Sequence, residues 1–489
     1  MQLKPMTGKR TGHFRESLAA FSATLLAATL ATHGAEAQDS SSSNENNNFG
    51  PGTAYTQIDG ALLVYKEAGG RVQAIEPALD TQIHSADGYV LNVELIADAV
   101  SGATPNGAVP SDLSQTFTTP VRVTANSATG AGGEGEGEGG GTGAGTGTGG
   151  TTTVTGASGG STVVSSGGTA SRQYTVAPNT LPVDKGFRDR RYAANVNWSQ
   201  PLGDLTLVGF GAGFSREHDY RSITANVRAA QNFDSNNTTV SLSLNMELDS
   251  SFPFGGIPTP LTAMDGAWKT PKERSKTQTG FVIGLTQVMT RRWLTEIDYA
   301  FNMQHGYEND PYRIISVVAP STGEPTSYLY ENRPNNRQTQ SLFWDNKIDL
   351  DPTVTDVSFR FFTDNWGIKS ETVAVSERLN VGSSFYVEPD VRWYHQTAAS
   401  FYRYYLVAGQ PLPAYVSSDT RLGAFTSLTY GTKVGFYLSD RTELYLRVAY
   451  YQQTGNGHPA GTFGQLRNQD LFAGTKAFFA FVGYTWDFH

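Results

Sequence analysis

The chain of 489 residues contains no cysteine. That excludes disulfides, a thiol nucleophile, a thiolate metal site and a lipidated N-terminal cysteine. It also lacks a run of roughly 20 apolar residues long enough to cross a bilayer as a helix. Nor is there a basic stripe, since 36 Lys and Arg face 45 Asp and Glu, and this argues against nucleic acid as a partner. What is abundant is glycine and aromatic residues: 53 Gly, 26 Phe, 23 Tyr and 7 Trp, with only 38% of the chain hydrophobic. That composition suits a β protein with one wet face.

The first residues follow the order of a secretory signal: Lys4, Lys9, Arg10 and Arg15, then "SLAAFSATLLAATLAT", then "AEA" at 35–37. Cleavage is expected before Gln38. It would remove four cations and two acids (Glu16, Glu36), taking the formal charge from −9 to −11. Residues 38–52, "QDSSSSNENNNFGPG", read as a disordered periplasmic lead.

From there a period of two dominates. In "TTVSLSLNMEL" (238–248), Val240, Leu242, Leu244, Met246 and Leu248 alternate with Thr, Ser, Asn and Glu. This is a strand with one apolar and one polar face. The same alternation recurs in "YVLNVEL" from Tyr89, "WLTEIDYAFNM" from Trp293, "VSFRF" from Val357, "FYVEPDVRW" from Phe385 and "ELYLRVAYY" from Glu443. Short turn-rich links lie at 84–88, 201–204, 233–237, 289–292, 350–353, 380–383 and 439–442. Longer excursions fall between them, at 101–190, 249–273, 305–337, 397–420 and 453–473. A soluble sandwich would bury each apolar face against a second sheet and predicts no such asymmetry. An all-β transmembrane antiparallel β-barrel of about 16 strands, with short periplasmic turns and long extracellular loops, predicts it. The barrel is expected over 53–489, with outer-membrane lipid against its apolar face. The aromatic-ended last strand, "KAFFAFVGYTWDF", resembles the signal read by barrel-assembly machinery, with His489 following it.

The opposite face then lines the lumen. Its charged candidates are Glu94, Asp98, Arg228, Glu247, Glu296, Asp298, Lys347, Arg360, Glu388, Asp390, Arg392, Lys433, Glu443 and Arg447. Two readings stand: a charged pore that selects solutes, or a paired ionic network that stiffens a narrow lumen. Residues 130–168, rich in Gly and Thr, hold neither a phosphate-loop motif nor a calcium-binding nonapeptide, and read as a flexible surface loop. His218, His305, His395 and His458 fall in or beside the long loops, without the spacing of a serine hydrolase or a zinc protease. No catalytic residue, metal set or cofactor is expected.

Several phrases resemble the DUF3570 family of bacterial outer-membrane proteins: "DAVSGATPNGA" (98–108), "REHDYRSI" (216–223), "GYENDPYRI" (306–314), "DNWGIKSET" (364–372), "RWYHQTAASFY" (392–402) and "SSDTRLGAFTSLTYGTKV" (417–434). The glycine-rich insert departs from that family. The resemblance implies a signal-bearing barrel of unassigned substrate. Its members are often encoded beside a lipoprotein, a thioredoxin-like protein and a flavin transferase, which implies periplasmic or lipoprotein partners. The same phrases put Asp310, Tyr312, Arg313, Asp364, Trp366, Tyr402 and Asp419 at one extracellular mouth, either as a binding site or as loop architecture.

Overall fold

A computed structural model describes residues 54–121, 152–155, 161–164, 170–264, 269 and 271–488. The expected signal and lead lie outside the described residues. So does the glycine-rich loop, apart from two short paired strands, Thr152–Thr155 and Ser161–Val164.

Sixteen strands form one closed antiparallel barrel. In chain order they are β1 (Tyr55–Glu67), β2 (Gln73–His84), β3 (Val90–Pro105), β4 (Val183–Leu202), β5 (Thr206–Arg216), β6 (Tyr220–Phe233), β7 (Thr238–Ser251), β8 (Arg274–Thr290), β9 (Trp293–Gly306), β10 (Asn336–Asp349), β11 (Thr353–Asp364), β12 (Lys369–Val381), β13 (Phe385–Gln396), β14 (Phe425–Ser439), β15 (Thr442–Gly455) and β16 (Lys476–Phe488). Each pairs with its sequence neighbour, and β16 returns to β1 in a register running from Thr56↔Phe488 to Glu67↔Ala477. Closure leaves no open sheet edge, which a bilayer would penalise by several kcal/mol per unpaired group.

At one rim all seven connections are five residues or fewer: 85–89, 203–205, 234–237, 291–292, 350–352, 382–384 and 440–441. These are the seven short links expected from the sequence. The other rim carries the five long connections, 106–182, 252–273, 307–335, 397–424 and 456–475. It also carries three short ones, 68–72, 217–219 and 365–368, which the alternation of lengths does not reveal.

The alternation translates into two faces. Leu242, Leu244, Met246 and Leu248 of β7 are each more than two-fifths exposed, whereas Glu247 and Asp249 beside them are buried. Phe478, Val482, Tyr484 and Trp486 of β16 point outward in the same way. The outward surface is therefore the apolar, lipid-facing one and the lumen side the polar one. Trp293 and Trp344 lie towards the short-turn rim and anchor their indole N–H groups on Asn346 Oδ1 and Thr295 Oγ1, each at 3.0 Å. Trp486 sits on the same rim, as an interfacial aromatic girdle requires.

Inside, the arc of β15, β16, β1, β2 and β3 also carries an apolar cluster among its charged residues, with Leu63, Tyr65, Ile96, Tyr445, Phe479 and Phe481 packed together. Two tyrosines on this side of the barrel lie flat across a neighbouring strand. A Cβ on Gly435 would sit 2.2 Å from the Tyr386 ring, and one on Gly483 would sit 2.1 Å from Tyr445. Glycine is needed at both places because the ring occupies the volume a side chain would fill.

Candidate functional site

Strand pairing carries the sequence-identified charges into the lumen and gives many of them partners. Arg447 Nη2 meets Asp390 Oδ2 at 2.7 Å, Arg191 Nε meets Asp98 Oδ2 at 2.6 Å, and Lys347 Nζ meets Asp356 Oδ2 at 3.3 Å. Glu94 accepts from Asn195 at 2.8 Å, Glu247 from Ser222 at 2.7 Å and Glu443 from the Tyr386 hydroxyl at 2.7 Å. Lys433 lies between the Tyr386 and Tyr445 rings, 5.7 and 5.2 Å from their centroids, with Glu388 opposite it across the strand pair. Arg360 stacks over Phe343 at 5.0 Å and Arg392 over Tyr394 at 5.6 Å. Arg228 lies against the bare backbone of Gly209, and Asp298 against Gly284. Glu296 stands opposite Asp345. The inner wall combines the two sequence readings, being charged but extensively paired.

The long loops do not splay outward. Pro105 and Asn106 leave β3, whereas Arg313 and Ile314 belong to the loop joining β9 to β10, on a distant part of the ring. Yet Arg313 Nη1 donates to the Pro105 carbonyl at 2.6 Å, and the Ile314 N–H to that of Asn106 at 3.0 Å. Further ties join Ser111 to Glu324 (2.9 Å), Gln115 to Tyr328 (2.8 Å), Gln465 to the Gly323 carbonyl (2.9 Å) and Tyr404 to the Asn456 carbonyl (2.7 Å). Strands Ile314–Val318, Pro325–Tyr330 and Leu406–Val407 make a small sheet of their own. Contacts between loops rooted so far apart on the ring can be made only across the mouth, so the loops form a cap.

At the heart of the cap three guanidinium groups meet three carboxylates. Asp419 takes Arg421 (2.5 Å), Arg333 (2.9 Å) and Arg313 (3.9 Å); Arg421 also reaches Asp310 at 3.4 Å, and Arg333 Nε meets Glu331 at 2.7 Å. Glu331 receives the Ser417 hydroxyl at 2.5 Å and the Asp310 N–H at 2.6 Å. Burial alone would raise the Asp419 carboxyl, but Arg421, Arg313 and Arg333 outweigh it and hold the group well below the usual carboxylate range. At Glu331 burial prevails over Arg333, and the carboxyl is pushed up.

Of the residues placed at the mouth by sequence, Asp310, Arg313 and Asp419 thus join one network. Trp366 and Tyr402 belong to an adjoining apolar cluster with Ile368, Phe401 and Leu422. Asp364 pairs with Arg337 at 2.6 Å, and that guanidinium also lies 4.5 Å over the Trp366 ring. Tyr312 stands apart, its hydroxyl on Asp219 at 2.6 Å. Sequence reasoning missed Arg333, Arg337, Arg421 and Glu331. Arg421 stands two residues from Asp419 inside a motif already singled out, whereas Arg333 sits in "ENRPNNRQ", where nothing separates it from a solvated loop charge. Beside the network a small cavity opens between loops, lined by Gly107, Leu181, Arg313, Tyr404, Ser418 and Leu471 among others.

Comparison with solved structures finds outer-membrane proteins of low similarity. The siderophore receptor PirA from Pseudomonas aeruginosa is 10% identical, with a TM-score of 0.36 over 88% of this chain and 63% of its own. The ferric enterobactin receptor PfeA is 11% identical, at 0.38 over 86% and 58%. A bacterial polysaccharide outer membrane secretin is 7% identical, at 0.41 over 90% and 99%. The chain therefore spans less than two thirds of either receptor, and a likeness of this size says nothing of substrate. No curated protein matches the sequence. A model of a family of proteins of unknown function, DUF3570, matches residues 22–486, and by that match over nearly its whole length the chain belongs to the DUF3570 family.

Proposed function

We propose that this protein is a non-enzymatic barrel of the Gram-negative outer membrane, exported by its N-terminal signal, that admits a small solute through a gated mouth into a charged lumen. In this reading the short-turn rim faces the periplasm and the cap faces outward. One observation carries it: an apolar outer belt surrounds a charged, paired inner wall, and ordered loops bridge the only rim that has long connections. A permanently open porin needs no such bridge, so the cap is read as the gate. No catalytic role is proposed for the loop histidines.

The bridged mouth also favours a second reading: a structural or export barrel that holds a periplasmic or lipoprotein partner and never conducts. Single-channel conductance of the refolded protein in a planar bilayer separates the two. The measurement is made with the intact chain, with residues 130–168 deleted, and with Arg333→Ala. Gated or cap-dependent conductance supports solute entry. Silence in all three, with each protein still heat-modifiable, overturns it in favour of the assembly reading, which then requires envelope proteins to co-purify. Membrane fractionation checks the location, since loss from the outer-membrane fraction contradicts both readings.

A further inference from the structure

The cavity beside the charge network lies where the loops converge. Val109 and Leu181 reach it from the 106–182 connection, Arg313 from 307–335, Tyr402 and Thr420 from 397–424, and Leu471 from 456–475, so four of the five long loops share its wall. The backbone of Gly107, at a φ of +98°, closes against the same place, and a Cβ there would sit 2.8 Å from Arg313 Cδ. The volume is about 20 Å³, room for one small polar group and not for a whole solute.

The cavity is lined by one charged side chain, Arg313, and by no acid. Arg313 Nη1 donates to the Pro105 carbonyl at 2.6 Å, whereas Nη2 reaches Asp310 and Asp419 only at 3.5 and 3.9 Å. Asp419 is held more closely by Arg421 (2.5 Å) and Arg333 (2.9 Å), and Asp310 is shared with Arg421 at 3.4 Å. Arg313 Nε is buried and meets no hydrogen-bond partner among the described residues. A charged donor left in this way strongly favours an acceptor that satisfies it. Tyr402 adds a second donor. Burial raises its phenol far above the ordinary value, so it stays protonated, and its hydroxyl makes no hydrogen bond among the described residues.

We propose that this cavity takes the carboxylate of a small organic acid, with the Arg313 Nε–H and the Tyr402 hydroxyl as its donors and Val109, Leu181 and Leu471 against its carbon chain. A cation would face Arg313 with no acid on the wall beside it. Inorganic phosphate carries more charge and more oxygens than these donors satisfy, and the apolar side chains would leave the remainder unbonded. A halide has no apolar part to set against those side chains. The volume admits the carboxylate and the first carbons, and the rest of the acid lies between the loops. Because the donors come from two loops and the apolar contacts from two others, a bound carboxylate ties the closed cap together. Binding stands whether or not the barrel conducts; that the acid is the solute admitted rests on the gated-mouth reading.

The test uses the full-length refolded protein in detergent micelles and butanoate labelled with carbon-13 at its carboxyl, with empty micelles as the blank and ionic strength held constant. Saturable broadening of the carboxyl signal is expected, with affinity weakened roughly tenfold in Arg313→Gln and in Tyr402→Phe. Tyr402→Phe keeps the ring in its apolar cluster and removes a hydroxyl that no protein group uses, so its cap should stay closed. Binding should be unchanged in Tyr415→Phe, an exposed tyrosine outside the cavity. Butanoate should also slow proteolysis within 307–335 and 397–424, and butylammonium should not. Absence of saturable binding by the wild-type protein overturns the site, and this decides the matter even if a variant fails to fold. Undiminished binding in a folded Tyr402→Phe overturns it as well, and equal displacement of butanoate by chloride or phosphate overturns the preference for a carboxylate. Binding by a protein that never conducts sinks solute entry and leaves the site standing, whereas conductance without binding does the reverse.

Discussion

The barrel wall and the cap are built from the same chain by opposite means. In the wall, order comes from a backbone ladder that closes on itself, and side chains need only alternate: apolar towards lipid, polar towards the lumen. The cap joins one loop to another by only a short ladder, Val317 and Val318 against Leu406 and Val407. Its order rests on side chains that meet from distant parts of the sequence, above all the buried cluster of Arg313, Arg333, Arg421, Asp310, Glu331 and Asp419. The wall should therefore tolerate most polar substitutions inside it, and the cap should not.

The largest effect is expected where a charge is removed from the cap. Asp419→Ala leaves Arg313, Arg333 and Arg421 buried without their shared carboxylate, and breaking such a network costs about 3–5 kcal/mol. The cap should come apart while the wall persists: protease should cut the loops within 307–335 and 397–424, yet the folded band should survive heating in detergent. Loss of the folded band at the same temperature as the cap would erase the distinction between the regions. The wall has a counterpart. Leu244 lies mid-strand on the lipid face, and Leu244→Arg should cost about 2–4 kcal/mol there. Ser243→Arg, one residue away on the lumen face, should be nearly silent in the same folding titration.

Gly435 and Gly483 test a place where the wall does depend on side chains. A methyl at either position would sit 2.2 or 2.1 Å from a tyrosine ring, so Gly435→Ala should expel Tyr386 from its bond to Glu443, and Gly483→Ala should displace Tyr445. Overpacking of this kind costs about 1–3 kcal/mol. Pairing each variant with Tyr386→Ala or Tyr445→Ala should recover part of that loss in denaturant titrations. No recovery would mean that the ring is not what excludes the side chain.

The same contrast explains what the sequence disclosed. The period of two in 238–248 and the seven short links required only neighbours in sequence, and every one of those links is a turn in the structure. The placement of Glu247, Asp390 and Arg447 on the lumen face followed from the same parity. The connections at 217–219 and 365–368 escaped because "REHDY" and "DNWG" are polar stretches with no length signature of their own. The cap escaped in a different way. Asp310, Arg313 and Asp419 were visible as charged loop residues, but the partners that decide their role, Arg333 and Glu331, come from another part of the 307–335 loop. Nothing in local periodicity joins Asp419 to Arg333, 86 positions away.

The smallest effect is expected from acid, and its sign is fixed by Asp419. Its carboxyl is held well below the ordinary range in the folded cap and returns to that range, near about 3.9, when the cap opens. The network then contributes its stability in full above the unfolded value and loses it as pH falls through the folded one. Neutral and mildly acidic conditions should leave the loops protected from proteolysis, with exposure rising only below about pH 4. Asp419→Asn should abolish that acid limb and leave a cap weakened equally at every pH. Glu331 acts with the opposite sign: its raised carboxyl favours the protonated cap, so its share of stability fades as pH rises above the ordinary range. A cap that loosens on the alkaline side and stays closed in acid would therefore assign control to Glu331, not Asp419, and would reverse the ranking of the two acids in holding the mouth shut.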